Sequence, residues 1–288
     1  MKNLDYYLQN ISNTEDRKLL YLVDLTDIWG GKITKEQIDI IQNYPDKKYI
    51  TISGLNQETF DYFIKNYGNQ FEVINFWKCP LVNSFSSIEL LYNVKYITYY
   101  WNQKAKQLWD FSKTPNLIGF SFNDFTRMDN LEDIAKSTTI EELEFWNKIS
   151  SKYIVKSLSP LKYCKTLKNI NFSANKIEDN DITPISKLPN LIEVNFPKNL
   201  FSTEQVVWLK AHLSPNIKSE VLSPFWIIDK WLEINWKKRD TFIIGKRKPF
   251  LSSKDDSDKI KKYINKFNNL YSWFKNNPRA NTSDYVGK

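Results

Sequence analysis

A chain of 288 residues with 41% apolar content is long enough to bury a real core, and with 15% aromatics it is not a disordered chain. The opening Met1-Lys2-Asn3-Leu4-Asp5 leads into no apolar stretch, and no run approaches the roughly 18 apolar residues of a membrane span, so neither signal peptide nor span is expected and the protein reads as cytoplasmic. The net charge of +8 is not spread evenly: residues 225–288 hold 15 Lys and Arg against 7 Asp and Glu, the entire excess, and the rest is neutral.

In chain order, residues 1–19 come first, with Leu4, Tyr7, Leu8 and Ile11 at helical spacing before the polar Ser12-Asn13-Thr14-Glu15-Asp16. This predicts an N-terminal helix that closes one open end of the fold. Its scarcity of basic residues argues against a membrane-surface helix. From residue 20 to 222 a short pattern returns. Its clearest copies are Leu167-Lys-Asn-Ile170-Asn-Phe172-Ser-Ala-Asn175 and Leu191-Ile-Glu-Val194-Asn-Phe196-Pro-Lys-Asn199, both LxxLxLxxN. Apolar residues at positions 4 and 6 point the same way on a strand, and an Asn at position 9 can satisfy backbone groups that the following turn leaves open. Earlier copies start at Phe71, Val94, Leu117 and Ile140, so the starts from Phe71 to Leu191 lie 23, 23, 23, 27 and 24 residues apart. Ile50 and Ile52 mark a weaker copy behind Lys47, Leu20, Val23 and Leu25 a first one, and Ile217 a degenerate last one with Glu220 at position 4. Position 9 is kept by Asn102, taken by Cys79, and broken at Leu55, Phe125 and Lys148. Seven rungs follow, or nine with the degenerate ends. One rung cannot bury its own apolar face, so they must stack.

The chain resembles bacterial leucine-rich repeat proteins of the internalin-like type. Ile182-Thr183-Pro184-Ile185 through Leu188-Pro189-Asn190-Leu191 is similar to that type's return segment, and Leu158-Ser159-Pro160-Leu161 is a shorter echo. The resemblance implies an α/β solenoid: a curved parallel sheet on the concave side, short helices or turns on the convex side, and a scaffold for binding. Helical periodicity between strands supports this at Lys35–Tyr44, Glu58–Tyr67, Ser86–Tyr92, Leu131–Ser137 and Thr203–Leu213, where Thr203 is placed as N-cap.

Positions 3, 5 and 7 of each strand face the concave side. Position 7 reads Ser53, Trp77, Tyr100, Asn123, Trp146, Ser173, Pro197; position 3 contributes Tyr49 and Tyr96, and Trp101 follows at position 8. Such a row offers contact area at low entropic cost, and Glu142 and Glu144 beside Trp146 suit a basic partner. Another protein is the expected partner. The alternative is that a terminal segment of this chain covers these rings.

Residues 223–288 form a third region. Trp231 to Trp236 and Thr241 to Lys248 flank Lys237-Lys-Arg-Asp240, which predicts a β-hairpin with its turn there. Ile260, Tyr263, Ile264, Phe267, Leu270 and Phe274 share one helical face, expected to dock on the last rungs, and Asn276 to Lys288 reads as a loose tail. If the hairpin forms, Lys237, Lys238 and Arg239 join Lys246, Arg247 and Lys248 in a basic patch, so nucleic acid or an acidic protein is the alternative partner. A solvated basic face is the plainer reading.

Little supports catalysis. The sole histidine, His212, lies in a predicted helix, and no HExxH, GxSxG or phosphate loop occurs. Cys79 and Cys164 sit rungs apart, at least ~14 Å by strand spacing, so they are expected as free thiols. A non-enzymatic, cofactor-free binding scaffold is the outcome, a cytoplasmic regulator or an immunity-type neutraliser. A surface adhesin would need an export signal.

Overall fold

The computed structural model describes residues 3–148, 153–234 and 237–285. Strands β1 (Leu19–Leu22), β2 (Tyr49–Ser53), β3 (Val73–Trp77), β4 (Tyr96–Asn102), β5 (Gly119–Phe125) and β6 (Glu142–Trp146) are followed by the short β7 (Ile154–Val155), β8 (Asn169–Ser173), the short β9 (Lys176–Ile177) and β10 (Glu193–Asn195). Eight of them form one sheet in the order β1-β2-β3-β4-β5-β6-β8-β10, with every pair parallel. Each strand returns beside its predecessor after a convex segment, so the protein is an α/β leucine-rich repeat solenoid.

The ladder is in register with the repeat. Ile50, Ile74, Ile97, Phe120, Leu143, Ile170 and Val194 align at position 4, and Ile52, Phe76, Tyr99, Phe122, Phe145 and Phe172 at position 6. Neighbouring rungs are about 4.8 Å apart, so like side chains stack face to face: Phe122 on Phe145 at 5.3 Å and Phe145 on Phe172 at 5.3 Å. This phenylalanine spine replaces the usual leucines. The buried Asn102 donates to Val82 O at 2.8 Å and accepts from Ala105 N at 2.8 Å, tying the turn after its strand. The convex side consists of 3-10 turns with three helices, α2 (Lys35–Ile38), α3 (Gln57–Tyr67) and α4 (Thr203–His212).

Several details differ from the pattern. The first rung is offset: Leu20 pairs with Ile50 and Leu22 with Ile52, so these, not Val23 and Leu25, occupy positions 4 and 6. Leu25 is instead 76% exposed, in a loop that turns through Gly30 (φ +91°) and Gly31 (φ +79°). A side chain at Gly30 would meet Lys78 O at 2.5 Å, so the loop packs too closely on the segment after β3, two rungs on, to carry one. Ile217 starts no strand; only Lys218 bridges to Glu193. Helix α4 is capped by Ser202, which accepts from Gln205 N at 3.2 Å, whereas Thr203 donates to Ile244 O at 3.0 Å and joins the C-terminal module to the repeats.

The N-terminal helix α1 (Leu4–Gln9) does not close an end. It lies across the concave face, with Leu4 N donating to Glu142 Oε2 at 2.8 Å on β6 and Tyr7 against Tyr49 and Tyr96 on β2 and β4. Packed that way, the apolar face of α1 covers a sheet face that would otherwise expose its own rings.

The C-terminal module is a three-stranded antiparallel sheet, β11 (Phe225–Ile234), β12 (Lys237–Ile243) and β13 (Phe250–Leu251), with α5 (Ser257–Asn276). Lys237-Lys-Arg-Asp240 belongs to β12 and is not the turn. Ile234 pairs with Lys237, and residues 235–236, Trp236 among them, lie outside the described residues. Phe267, Leu270 and Phe274 of α5 join the main core, and Lys266 Nζ reaches Glu204 on α4 at 2.9 Å. The following segment is held in place: Ala280 O accepts from Trp208 Nε1 at 2.8 Å and Tyr285 packs edge-on against Trp273. His212 stacks on Trp208 and sits 3.0 Å from Pro278 O, a structural position. Among the described residues, no helix is long and apolar enough to cross a membrane.

Candidate protein-recognition face

Pairing across the sheet sets Ser53, Trp77, Tyr100, Asn123, Trp146 and Ser173 side by side, one rung each. The row predicted at position 7 therefore exists in space. Trp77 and Tyr100 stack at 4.5 Å with 25° between planes, and Trp146 lies 6.1 Å from Tyr100 at 48°. All three rings are half-buried, each with a face or edge left open.

Other residues expected on this surface are already engaged by the chain itself, Tyr96 and Trp101 to the point of burial. Tyr96 is only 3% exposed, beneath Tyr7 at 4.7 Å, and Tyr49 meets Tyr7 at 5.4 Å. Burial pushes the Tyr96 hydroxyl up to about 12. Trp101 is 6% exposed because Trp29, at the tip of the loop before α2, lies 4.9 Å over it. Glu142 is spent on α1. Its carboxyl is raised above the ordinary range by desolvation, against which the Leu4 N–H works, with Asp5 and Glu141 adding repulsion. The N-terminal segment thus packs on Tyr49, Tyr96 and Glu142, as the alternative of a terminal cover has it, whereas Trp101 is covered by an internal loop and Trp77, Tyr100 and Trp146 stay half-open.

Between the open row and the edge of α1 lies a pocket of roughly 640 Å³. Trp77, Tyr100 and Trp146 line it with Asn75, Thr98, Asn123, Asp124, Glu144 and Lys148 from the sheet side, and Asp5, Leu8, Gln9 and Ile11 from the N-terminal segment. Glu144 is held in its wall by neutral donors: Oε1 accepts from Trp146 Nε1 at 3.2 Å, Ser121 Oγ at 3.3 Å and Asn123 Nδ2 at 3.4 Å, and Oε2 from Asn171 Nδ2 at 3.2 Å. Asp124, in a left-handed backbone conformation, accepts from Lys148 N at 2.5 Å and turns that residue toward the row. Lys148 Nζ then stands 4.6 Å from the Trp146 ring centroid. Repeat spacing pointed to Asn75 and Thr98, since position 5 also faces the concave side. Nothing in the sequence pointed to the wall supplied by α1, because an amphipathic stripe does not say which surface it covers.

The basic patch does not assemble as expected. Lys238 and Arg239 lie near the start of β12 and Lys246, Arg247 and Lys248 beyond its end, so the two groups are separated by about 17 Å of strand. Lys238 Nζ sits 4.1 Å over Trp231, Arg239 donates to Phe250 O at 3.1 Å, Lys246 is hydrogen-bonded to Asn180, and Lys248 lies 5.6 Å over Tyr263. The side chain of Lys237 lies outside the described residues. Cys79 and Cys164 are buried free thiols, and burial pushes both up to about 12, which keeps them protonated and unreactive.

Solved leucine-rich repeat structures are similar to this chain. An internalin (inlF) from Listeria monocytogenes matches over 63% of this chain and 55% of its own, with TM-score 0.42 and 14% identity. Internalin C2 of the same organism matches over 57% and 74%, with TM-score 0.34 and 19% identity. A leucine-rich repeat protein of Leptospira interrogans matches over 81% and 59%, with TM-score 0.42 and 13% identity. This chain therefore spans little more than half of the first and third. No protein-family profile and no curated protein matches the sequence.

Proposed function

We propose that this protein is a non-enzymatic scaffold that grips a partner protein with the open aromatic row of its concave face. The observation that carries the reading is the Trp77-Tyr100-Trp146 row, left half-open beside a pocket while neighbouring rings on the same sheet are covered by the chain itself. Interfaces concentrate their energy in such aromatic anchors, each held rigid before the partner arrives. A cytoplasmic regulator, or an immunity-type protein that neutralises a toxin, would use such a face.

Capture from the native host's lysate tests this, comparing the natural sequence with a Trp77→Ser/Tyr100→Ser/Trp146→Ser variant whose fold is checked by circular dichroism. A protein retained only by the natural sequence is the expected outcome. Retention of the same set by both, or of nucleic acid that is lost steeply with salt, would overturn it and move recognition to the C-terminal module.

A further inference from the structure

We infer that the concave pocket receives a cationic side chain of the partner, an arginine, seated on Glu144 among the Trp77, Tyr100 and Trp146 rings. This rests on the concave face being the recognition surface and adds the chemistry of what it recognises. The first ground is charge. The protein carries +8 overall, yet among the described residues the pocket is lined by Asp5, Asp124 and Glu144 against Lys148, a local balance of −2. The sign is thus reversed where the aromatic row is open.

The second ground is the state of Glu144. Its two oxygens accept only from neutral groups at 3.2 to 3.4 Å, and no basic side chain pairs with it among the described residues. Those contacts fix the carboxylate in orientation without neutralising it. A carboxylate offers about four acceptor sites, and charged donors bind it roughly twice as strongly as neutral ones. The side-chain oxygens of Asn75 and Asn123, two residues of the pocket wall, are buried without a hydrogen-bond partner among the described residues, and their partial negative charge adds to the potential there.

The third ground is the rings. Lys148 Nζ at 4.6 Å from the Trp146 centroid already uses that ring as a cation platform, from an exposed and flexible stem. Guanidinium fits the whole arrangement better than ammonium. It is planar and weakly hydrated, stacks on aromatic faces, and presents a fork of N–H groups to a carboxylate. Lys148 then acts as an internal competitor for the seat.

The probe is the blocked peptide acetyl-Gly-Arg-Gly-amide, with lysine and citrulline counterparts, titrated into the full chain carrying 15N-labelled tryptophan. The indole signals of Trp77 and Trp146, identified through Trp77→Phe and Trp146→Phe, are the readout. The arginine peptide is expected to shift both saturably. The citrulline peptide, which keeps the shape and loses the charge, is expected not to saturate, and lysine to bind several-fold more weakly. Glu144→Gln, close to isosteric, should weaken arginine binding about tenfold. Lys148→Ala should strengthen it by about threefold, and it reports independently if the glutamine variant folds poorly. Equal binding of citrulline and arginine would overturn the inference, as would indole signals that stay still or a Lys148→Ala variant that binds less. Failure here with partner capture still dependent on the aromatic row would remove the arginine seat and leave the proposed function standing.

Discussion

Two sets of aromatic side chains stand on one concave face, and they meet opposite fates. Tyr49 and Tyr96, at position 3 near the strand starts, are packed under Tyr7 and, for Tyr96, Leu4 of the chain's own first helix. Trp77, Tyr100 and Trp146, at position 7 about 13 Å further along the strands, remain half-open. Chemistry does not separate Tyr96 from the open row; cover does, while Tyr49 touches Tyr7 and stays half-buried. Space explains the choice in part. Position 3 on β5 is Gly119, where a Cβ would stand 2.5 Å from Tyr96 Cδ1 and 3.5 Å from Leu4 Cβ, so the absence of a side chain opens the seat that Tyr96 and α1 share. At position 7 the same strand carries Asn123, whose amide turns to Ser121 and Glu144 and keeps that end polar.

If the covered row is structural and the open row is for binding, substitutions in them should separate stability from capture. Tyr96→Ala should cost the most, about 3 kcal/mol, because it empties a buried aromatic site and unseats α1. Urea unfolding of that variant measures it, and a loss no larger than that of a Tyr100→Ala variant would erase the distinction between the rows. Leu4→Ala should cost about 2 kcal/mol, with Tyr49 and Tyr96 becoming accessible to a solvent quencher while the Trp77-Tyr100 stack persists in the near-ultraviolet circular dichroism.

The smallest effect sharpens how α1 is held. The carboxyl of Glu142 is raised in the folded state mainly by desolvation, so the folded protein binds a proton that the unfolded chain releases sooner. Its contribution is therefore fully present below the ordinary carboxyl value of 4.5 and falls as pH rises through the raised value. Glu142→Gln keeps an acceptor for Leu4 N and should flatten that decline in a series of urea titrations across pH. An unchanged slope would show that Glu142 does not carry it.

The C-terminal module offers a second lesson about pattern and place. The helical stripe of α5 gave its buried face correctly at Phe267, Leu270 and Phe274, since burial follows a 3.6-residue period. The turn of the preceding hairpin was misplaced by the polar run Lys237-Lys-Arg-Asp240. Those residues belong to β12, where Lys238 is exposed, Arg239 donates to Phe250 O and Asp240 accepts from Ser253. The tail likewise looked loose by composition, whereas Ala280 is held by Trp208 of the distant α4 and Tyr285 by Trp273 of α5 just before it.

Sequence by itself determined the register of the stack from β2 to β10, though not at its first rung. A strand has period 2 and the repeat returns every 23 to 27 residues, so the apolar residues at positions 4 and 6 must face inward and those at 3, 5 and 7 outward, whatever the rest of the chain does. That placed Trp77, Tyr100, Asn123 and Trp146 in one row before any coordinates. Only tertiary structure decided which outward positions stay open. A six-residue amphipathic helix and a glycine-bent loop each have an apolar side, but its destination is set by shape and by partners such as Gly119, Glu142 and Trp101, which lie 72 to 138 residues away and leave no periodic trace near Leu4 or Trp29.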